Sequence, residues 1–152
     1  MTRRLVLVRH AKAEQGGPDL ERALAKRGRA DAAALGEWLS KQGIVPDRVV
    51  ISPSRRTRDT WKLAAPPGSP EPEVDERIYD NTVEDLLAVI HSTPEDADTL
   101  VVVGHNPSVG ELAVAFDPTL REYPTSATAV FALDEWAQAP SGQLTTSVVP
   151  RG

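Results

Sequence analysis

Two short aliphatic runs, each followed within two residues by a histidine, constrain this chain more than any other feature. They are Leu5-Val6-Leu7-Val8-Arg9-His10 and Leu100-Val101-Val102-Val103-Gly104-His105. Four consecutive aliphatic residues, β-branched in part, fit a strand buried on both faces, as in a parallel sheet covered by helices. In open α/β sheets ligands bind at the carboxyl ends of such strands. The sequence has three histidines and two of them stand there. His10 and His105 are therefore expected to meet above the sheet, with Arg9, in an anion site.

The intervening chain alternates in the same grammar. Residues 11–20 are polar and rich in Gly and Pro, a loop beside the site. Residues 24–42 read as a helix, with Leu24, Ala30, Ala33, Ala34, Leu35, Trp38 and Leu39 on its apolar stripe and Lys26, Arg27, Arg29, Asp31 and Glu37 off it. Gly43 stops it. A strand at 47–51 is followed by a helix at 55–65 capped by Ser54. The proline-rich stretch 66–72 is a connection. Residues 73–75 form a small strand, 76–81 an acidic loop, and Thr82 with Asp85 opens a helix to about residue 91. Asn106 caps and Pro107 starts a helix to about residue 116. Strands at 128–133 and 143–149 form an antiparallel addition at one edge. The order predicts an α/β fold, three-layer α/β/α with a mostly parallel central sheet.

Composition bounds the partners. At 152 residues the chain is read as one domain spanning 1–152, since two would leave neither a full core. No stretch approaches the roughly 20 apolar residues of a membrane span, and Met1-Thr2-Arg3-Arg4 leads straight into a strand, so no membrane partner and a cytoplasmic location are expected. Absent cysteine excludes disulfides, thiolate metal sites and a cysteine nucleophile. A net charge of −5 argues against nucleic acid, so an anionic ligand must be captured by a local cation cluster. Neither a P-loop nor a Gly-x-Gly-x-x-Gly is present, and no Asp-rich cluster accompanies the histidines; no metal and no cofactor are expected.

That cluster is visible. Arg9 follows the first strand, and Arg55, Arg56 and Arg58 follow the second. Guanidinium groups grip phosphate bidentately, and the helix N-termini beyond Ser54 and Asn106 add partial positive charge. A neutral imidazole can attack phosphorus in line and form a phosphoramidate. Neighbouring arginines are expected to keep it neutral by repulsion.

Arg9-His10-Ala11, Ser52-Pro53-Ser54-Arg55-Arg56-Thr57-Arg58-Asp59-Thr60 and Gly104-His105-Asn106-Pro107 resemble, in order and spacing, the three core motifs of the histidine phosphatase superfamily. The short length, the stretch 21–28 and Thr125-Ser126-Ala127 resemble its phosphohistidine phosphatase branch, the SixA-like proteins. The resemblance implies a phosphoglycerate mutase-like fold. It makes His10 the phosphorylated nucleophile and Arg9, Arg56 and His105 the groups that hold the phosphoryl oxygens. By position, Lys12 flanks the pocket as a substrate-screening charge or a plain surface lysine, and Ser126 braces its wall or only turns the chain before an edge strand. Ala11 replaces the superfamily's commonest glycine, Thr57 and Asp59 its alanine and glutamine, and Ala23 a frequent proline.

Many superfamily members also place an acid after the middle strand. Asp75, Glu76 and Asp80 are the local candidates, although Glu76-Arg77-Ile78-Tyr79 does not match that pattern. The SixA-like branch lacks the acid, and a phosphoramidate leaving group protonates more readily than an alkoxide. Short loops leave no large insertion to lid the pocket. The expected activity is thus dephosphorylation of phosphohistidine on a protein, such as a histidine phosphotransfer domain. The alternatives are a phosphatase of small phosphate esters or anhydrides, and a phosphate-recognition module without turnover. His91 and the three tryptophans read as structural.

Overall fold

The computed structural model describes residues 2–151. Strand β1 (Arg3–Arg9) is the sheet's organising member, pairing in parallel with β4 (Thr99–Gly104) and antiparallel with β5 (Thr128–Leu133). Beyond β4 lie β2 (Arg48–Ile51) and the two-residue β3 (Glu73–Val74), and beyond β5 lies β6 (Gln143–Val148). The six-stranded order is β3-β2-β4-β1-β5-β6. The first four strands are mutually parallel and the last two add antiparallel at one edge.

Period-two alternation divides the interior. Leu5, Leu7, Leu100 and Val102 face α3 (Val83–His91) and α4 (Ser108–Phe116) in one apolar cluster. Val6, Val8, Val101 and Val103 face α1 (Lys26–Lys41) and α2 (Arg55–Ala64) in the other. Both runs are therefore buried on two sides, each aliphatic side chain contributing about 1.5–3 kcal/mol of hydrophobic stabilisation. The result is a three-layer α/β/α arrangement, as the sequence predicts.

Several local expectations hold in detail. Ser54 accepts from the Thr57 N–H at the start of α2, and Thr82 with Asp85 forms a reciprocal capping box on α3. Trp61 and Trp136 are buried, and His91 bonds the Ala139 carbonyl at 2.8 Å, a structural contact.

Other expectations are corrected. Helix α1 begins at Lys26, its N-cap Ala25 making no side-chain bond. Its buried face carries Gly28, Asp31, Ala32, Leu35 and Leu39, while Ala30 and Ala33 are exposed. The helix presents Gly28 to the backbone of Lys12, where an added Cβ would stand 2.0 Å from the carbonyl oxygen. That close approach rotates the stripe and buries Asp31, which is paired with Arg27 at 3.7 Å and Arg151 at 3.5 Å. Asn106 does not cap α4. The N-cap is Pro107, and Asn106 accepts from Gly110 N–H while donating to the Tyr123 carbonyl. The acidic loop contains a 3-10 turn, Glu76–Ile78, and the first loop another, Asp19–Glu21.

Candidate active site

The parallel strands end side by side, and that places the site. His10 N–H bonds the Gly104 carbonyl at 3.0 Å, so β1 continues in register with β4 into the site. Ser126, in a left-handed conformation with φ 63°, turns its N–H onto the Arg9 and His10 carbonyls at 3.1 and 3.0 Å. Ala11 N–H donates to Thr60 on α2 at 2.9 Å. The histidine is thus gripped by backbone from both flanks and from the helix above.

The His10 and His105 rings lie 5.2 Å apart at 57°, each 8% exposed. His10 Nδ1 is 2.7 Å from the Ala11 carbonyl. A carbonyl only accepts, so Nδ1 carries the proton and Nε2 the lone pair. The His10 pKa is lowered to about 4, first by burial and then by the charges of Arg56, Arg9 and Arg22, against the opposing Ala11 bond. The arginine repulsion expected from sequence is present, yet desolvation outranks it. At neutral pH this imidazole is uncharged.

His105 follows β4. Its Nε2 is 2.7 Å from the Ser52 hydroxyl and 3.4 Å from that of Ser54, both buried residues following β2. Nδ1 is buried with no hydrogen-bond partner among the described residues. Burial first, then His10 and Arg56, lower its pKa to about 3. The Tyr79 ring meets it edge-on at 5.7 Å.

The two arginines differ. Arg9 donates one bond to the Tyr123 carbonyl at 3.2 Å, keeps a buried Nε without a partner, and pairs with no carboxylate among the described residues. Burial lowers its pKa. A partly desolvated cation without counter-charge is costly, and an anion in the pocket relieves it. Arg56, 7% exposed, donates to the Asp19 main-chain oxygen at 2.8 Å and carboxylate at 3.1 Å. Arg55 and Arg58 point to solvent, Arg55 pairing with Asp59 one turn on.

Three residues of the site escape sequence reasoning: Asp19, Arg22 and Tyr79. The Asp19 carboxylate accepts from Arg56, from Arg22 at 3.1 Å and from the Tyr79 hydroxyl at 2.5 Å. The Tyr79 bond, then those of Arg56 and Arg22, outweigh partial burial and hold it far below the usual carboxylate range. The first loop therefore lies over Arg56. The signal present in the sequence was only an acid and a base in a loop placed beside the site.

The remaining candidates separate. Lys12 is exposed, and its carbonyl ties the loop to Ala25. Ser126 is buried and braces the backbone; its hydroxyl bonds Thr125. Asp75 is locked to Arg77 at 2.8 Å and its pKa is lowered chiefly by that bond, which disfavours it as an acid. Glu76 and Asp80 are exposed, and no hydrogen bond joins either to the histidines. Among the described residues no group of three or more His, Cys, Asp or Glu is close enough to hold a metal ion, and no helix is long and apolar enough to cross a membrane.

Residues 5–92, which include Arg9, His10 and Arg56, match the family model of the histidine phosphatase superfamily, branch 1. The chain belongs to this superfamily. An uncharacterised protein of Mycobacterium tuberculosis is 31% identical over 149 residues, covering 89% of this chain and 93% of its own length. Among solved structures, a protein of Nakamurella multipartitia proposed to be the phosphohistidine phosphatase SixA superposes with a TM-score of 0.90 at 29% identity, covering 100% of this chain and 98% of that one. One from Agrobacterium tumefaciens, likewise proposed to be SixA, gives 0.86 at 25%, covering 97% and 98%. The three-layer fold is that of these histidine phosphatases, and His105 lies outside the segment matched by the family model.

Proposed function

We propose that this histidine phosphatase works through a phosphorylated His10, needs no metal ion or cofactor, and takes its phosphoryl group from phosphohistidine on a protein such as a histidine phosphotransfer domain. The observation that carries the reading is the buried, neutral His10, its Nδ1–H committed to Ala11 and its Nε2 free, beside an Arg9 guanidinium with no counter-charge. The likeness to the two SixA-type structures supports the substrate class.

In the first step the Nε2 lone pair bonds to phosphorus while the phosphorus–nitrogen bond of the substrate breaks, its electron pair staying with the departing ring. Arg9 and Arg56 hold the equatorial oxygens, each such donor worth about 3 kcal/mol. His105 Nε2 faces the Ser52 hydroxyl at 2.7 Å; in the tautomer whose Nε2 accepts there, the proton sits on the unpartnered Nδ1 as a further donor to the phosphoryl group. Lys12 meets substrate charge at the rim, and Ser126 holds the strand end. In the second step a water oxygen attacks phosphorus, the bond to Nε2 breaks, and both water protons remain on the departing dihydrogen phosphate.

A phosphohistidine ring already protonated on its other nitrogen leaves neutral, so this exchange needs no dedicated acid. An ester would need a proton from Glu76 or Asp80. Incubation with a phosphohistidine protein in the presence of EDTA is expected to place an acid-labile phosphate on His10, and His10→Ala to abolish both label and turnover, by about a thousandfold or more. Labelling from small esters or anhydrides alone would favour a small-molecule phosphatase. Phosphate binding without any label would leave a recognition module.

A further inference from the structure

A carboxylate inside a phosphate cradle is out of place, and Asp19 is one. It accepts from Arg56 and Arg22 at 3.1 Å each and from Tyr79 at 2.5 Å. Both arginines act on the charge of His10, so Asp19 stands between cations that reach the nucleophile. Its side chain is 48% exposed while that of Arg56 is 8% exposed, which puts Asp19 on the solvent side of the guanidinium. Tyr79, which donates to Asp19, also stands edge-on to the His105 ring at 5.7 Å, so Asp19 borders the space over the two imidazoles. A group bound over His10 from the solvent side comes within reach of that carboxylate.

Two anions cannot share the Arg56 fork without strong repulsion. We infer that an incoming phosphoryl group displaces the Asp19 carboxylate from Arg56, and that Asp19 then pairs with the leaving ring and selects phosphohistidine over phosphate esters. The inference rests on the phospho-His10 reading. A carboxylate beside a phosphohistidine ring accepts a hydrogen bond from the nitrogen that does not carry phosphorus. It keeps that nitrogen protonated, so the ring departs as neutral imidazole when the phosphorus–nitrogen bond breaks and its electron pair returns to the ring. The same carboxylate repels a leaving phenolate or alkoxide. Asp19 thus opposes binding of any phosphate and repays the opposition only when the ring bonded to phosphorus carries a proton on its other nitrogen.

The test compares kcat/KM of the protein and its Asp19→Asn variant on a phosphohistidine peptide and on p-nitrophenyl phosphate. The preference for the peptide is expected to fall about tenfold or more, since an opposite charge within about 4–6 Å shifts a titrating group by about one unit or more. The peptide rate drops and the ester rate rises. On the peptide, the basic limb of the kcat profile moves down by about one pH unit in the variant, as the bound ring loses its proton earlier. A preference unchanged within twofold, with both rates falling together or neither moving, would overturn the inference and leave Asp19 as a tether for the arginines. Formation of phospho-His10 is measured in both proteins: its absence defeats the underlying reading, while its presence with an unchanged preference defeats the Asp19 assignment alone.

Discussion

His10 is kept neutral by its surroundings. Burial strips its charge, and the Ala11 carbonyl fixes which nitrogen is bare. His105 is governed from a different strand end. Ser52 supplies a 2.7 Å contact to its Nε2, and nothing in the spacing of the motifs names a hydroxyl for that place. Ser52→Ala is expected to lower turnover about tenfold or more while leaving the His10 ring unchanged, because a buried ring nitrogen loses its partner. Nitrogen-15 spectra of the imidazoles check this: the His105 ring signals shift and those of His10 hold. Turnover and His105 shifts equal to the parent would contradict the role. At this scale His10, Arg9, Arg56 and His105 are readable as residue types at strand ends. Asp19, Arg22 and Tyr79 are not, since each gains meaning only from partners up to 60 positions away.

The elements show how a loop acquires precision. Residues 11–25 leave the site and return, held by Ala13 bridging Leu24, Glu14 N–H on Ala23 and Ala25 N–H on Lys12. Helix α1 closes this excursion because Gly28 lets the helix approach the Lys12 backbone. Gly28→Ala would bring a methyl group to 2.0 Å from the Lys12 oxygen, a clash with backbone that only a shift of loop or helix removes. The expected cost is about 1–3 kcal/mol in urea unfolding, accompanied by a changed phosphate affinity as Arg22 and Asp19 move. A variant with unchanged midpoint and affinity would show that the loop is positioned independently of α1. Sequence rules located the helices here but put Ala30 and Ala33 on the buried face, since a glycine at a close approach carries no apolar signal.

For the molecule as a whole, two buried neutral histidines link stability to acidity. Both have folded pKa values lowered, to about 4 and about 3, from an ordinary 6.5. Below pH 6.5 the unfolded chain binds protons that the folded one refuses. Their contribution is thus complete above that value and declines as pH falls toward 4, by roughly 1 kcal/mol per pH unit for each ring. Urea midpoints at about pH 7.5, 6.5, 5.8 and 5 are expected to fall steadily once the ordinary imidazole range is passed, and less steeply when His10 and His105 are both replaced by Asn. A midpoint that rises on acidification through this window would contradict the burial of the rings. The sequence alone determined the layered α/β fold, the parallel strands and the four residues at their ends. Aliphatic runs can be satisfied only between helices, and a parallel sheet gathers at one edge the residues next in the chain after each strand. Only the tertiary structure decided which ring nitrogen is free, which hydroxyl faces His105 and that a loop carboxylate rests on Arg56. Those outcomes depend on desolvation and on distances between segments remote in the chain, which no local pattern encodes.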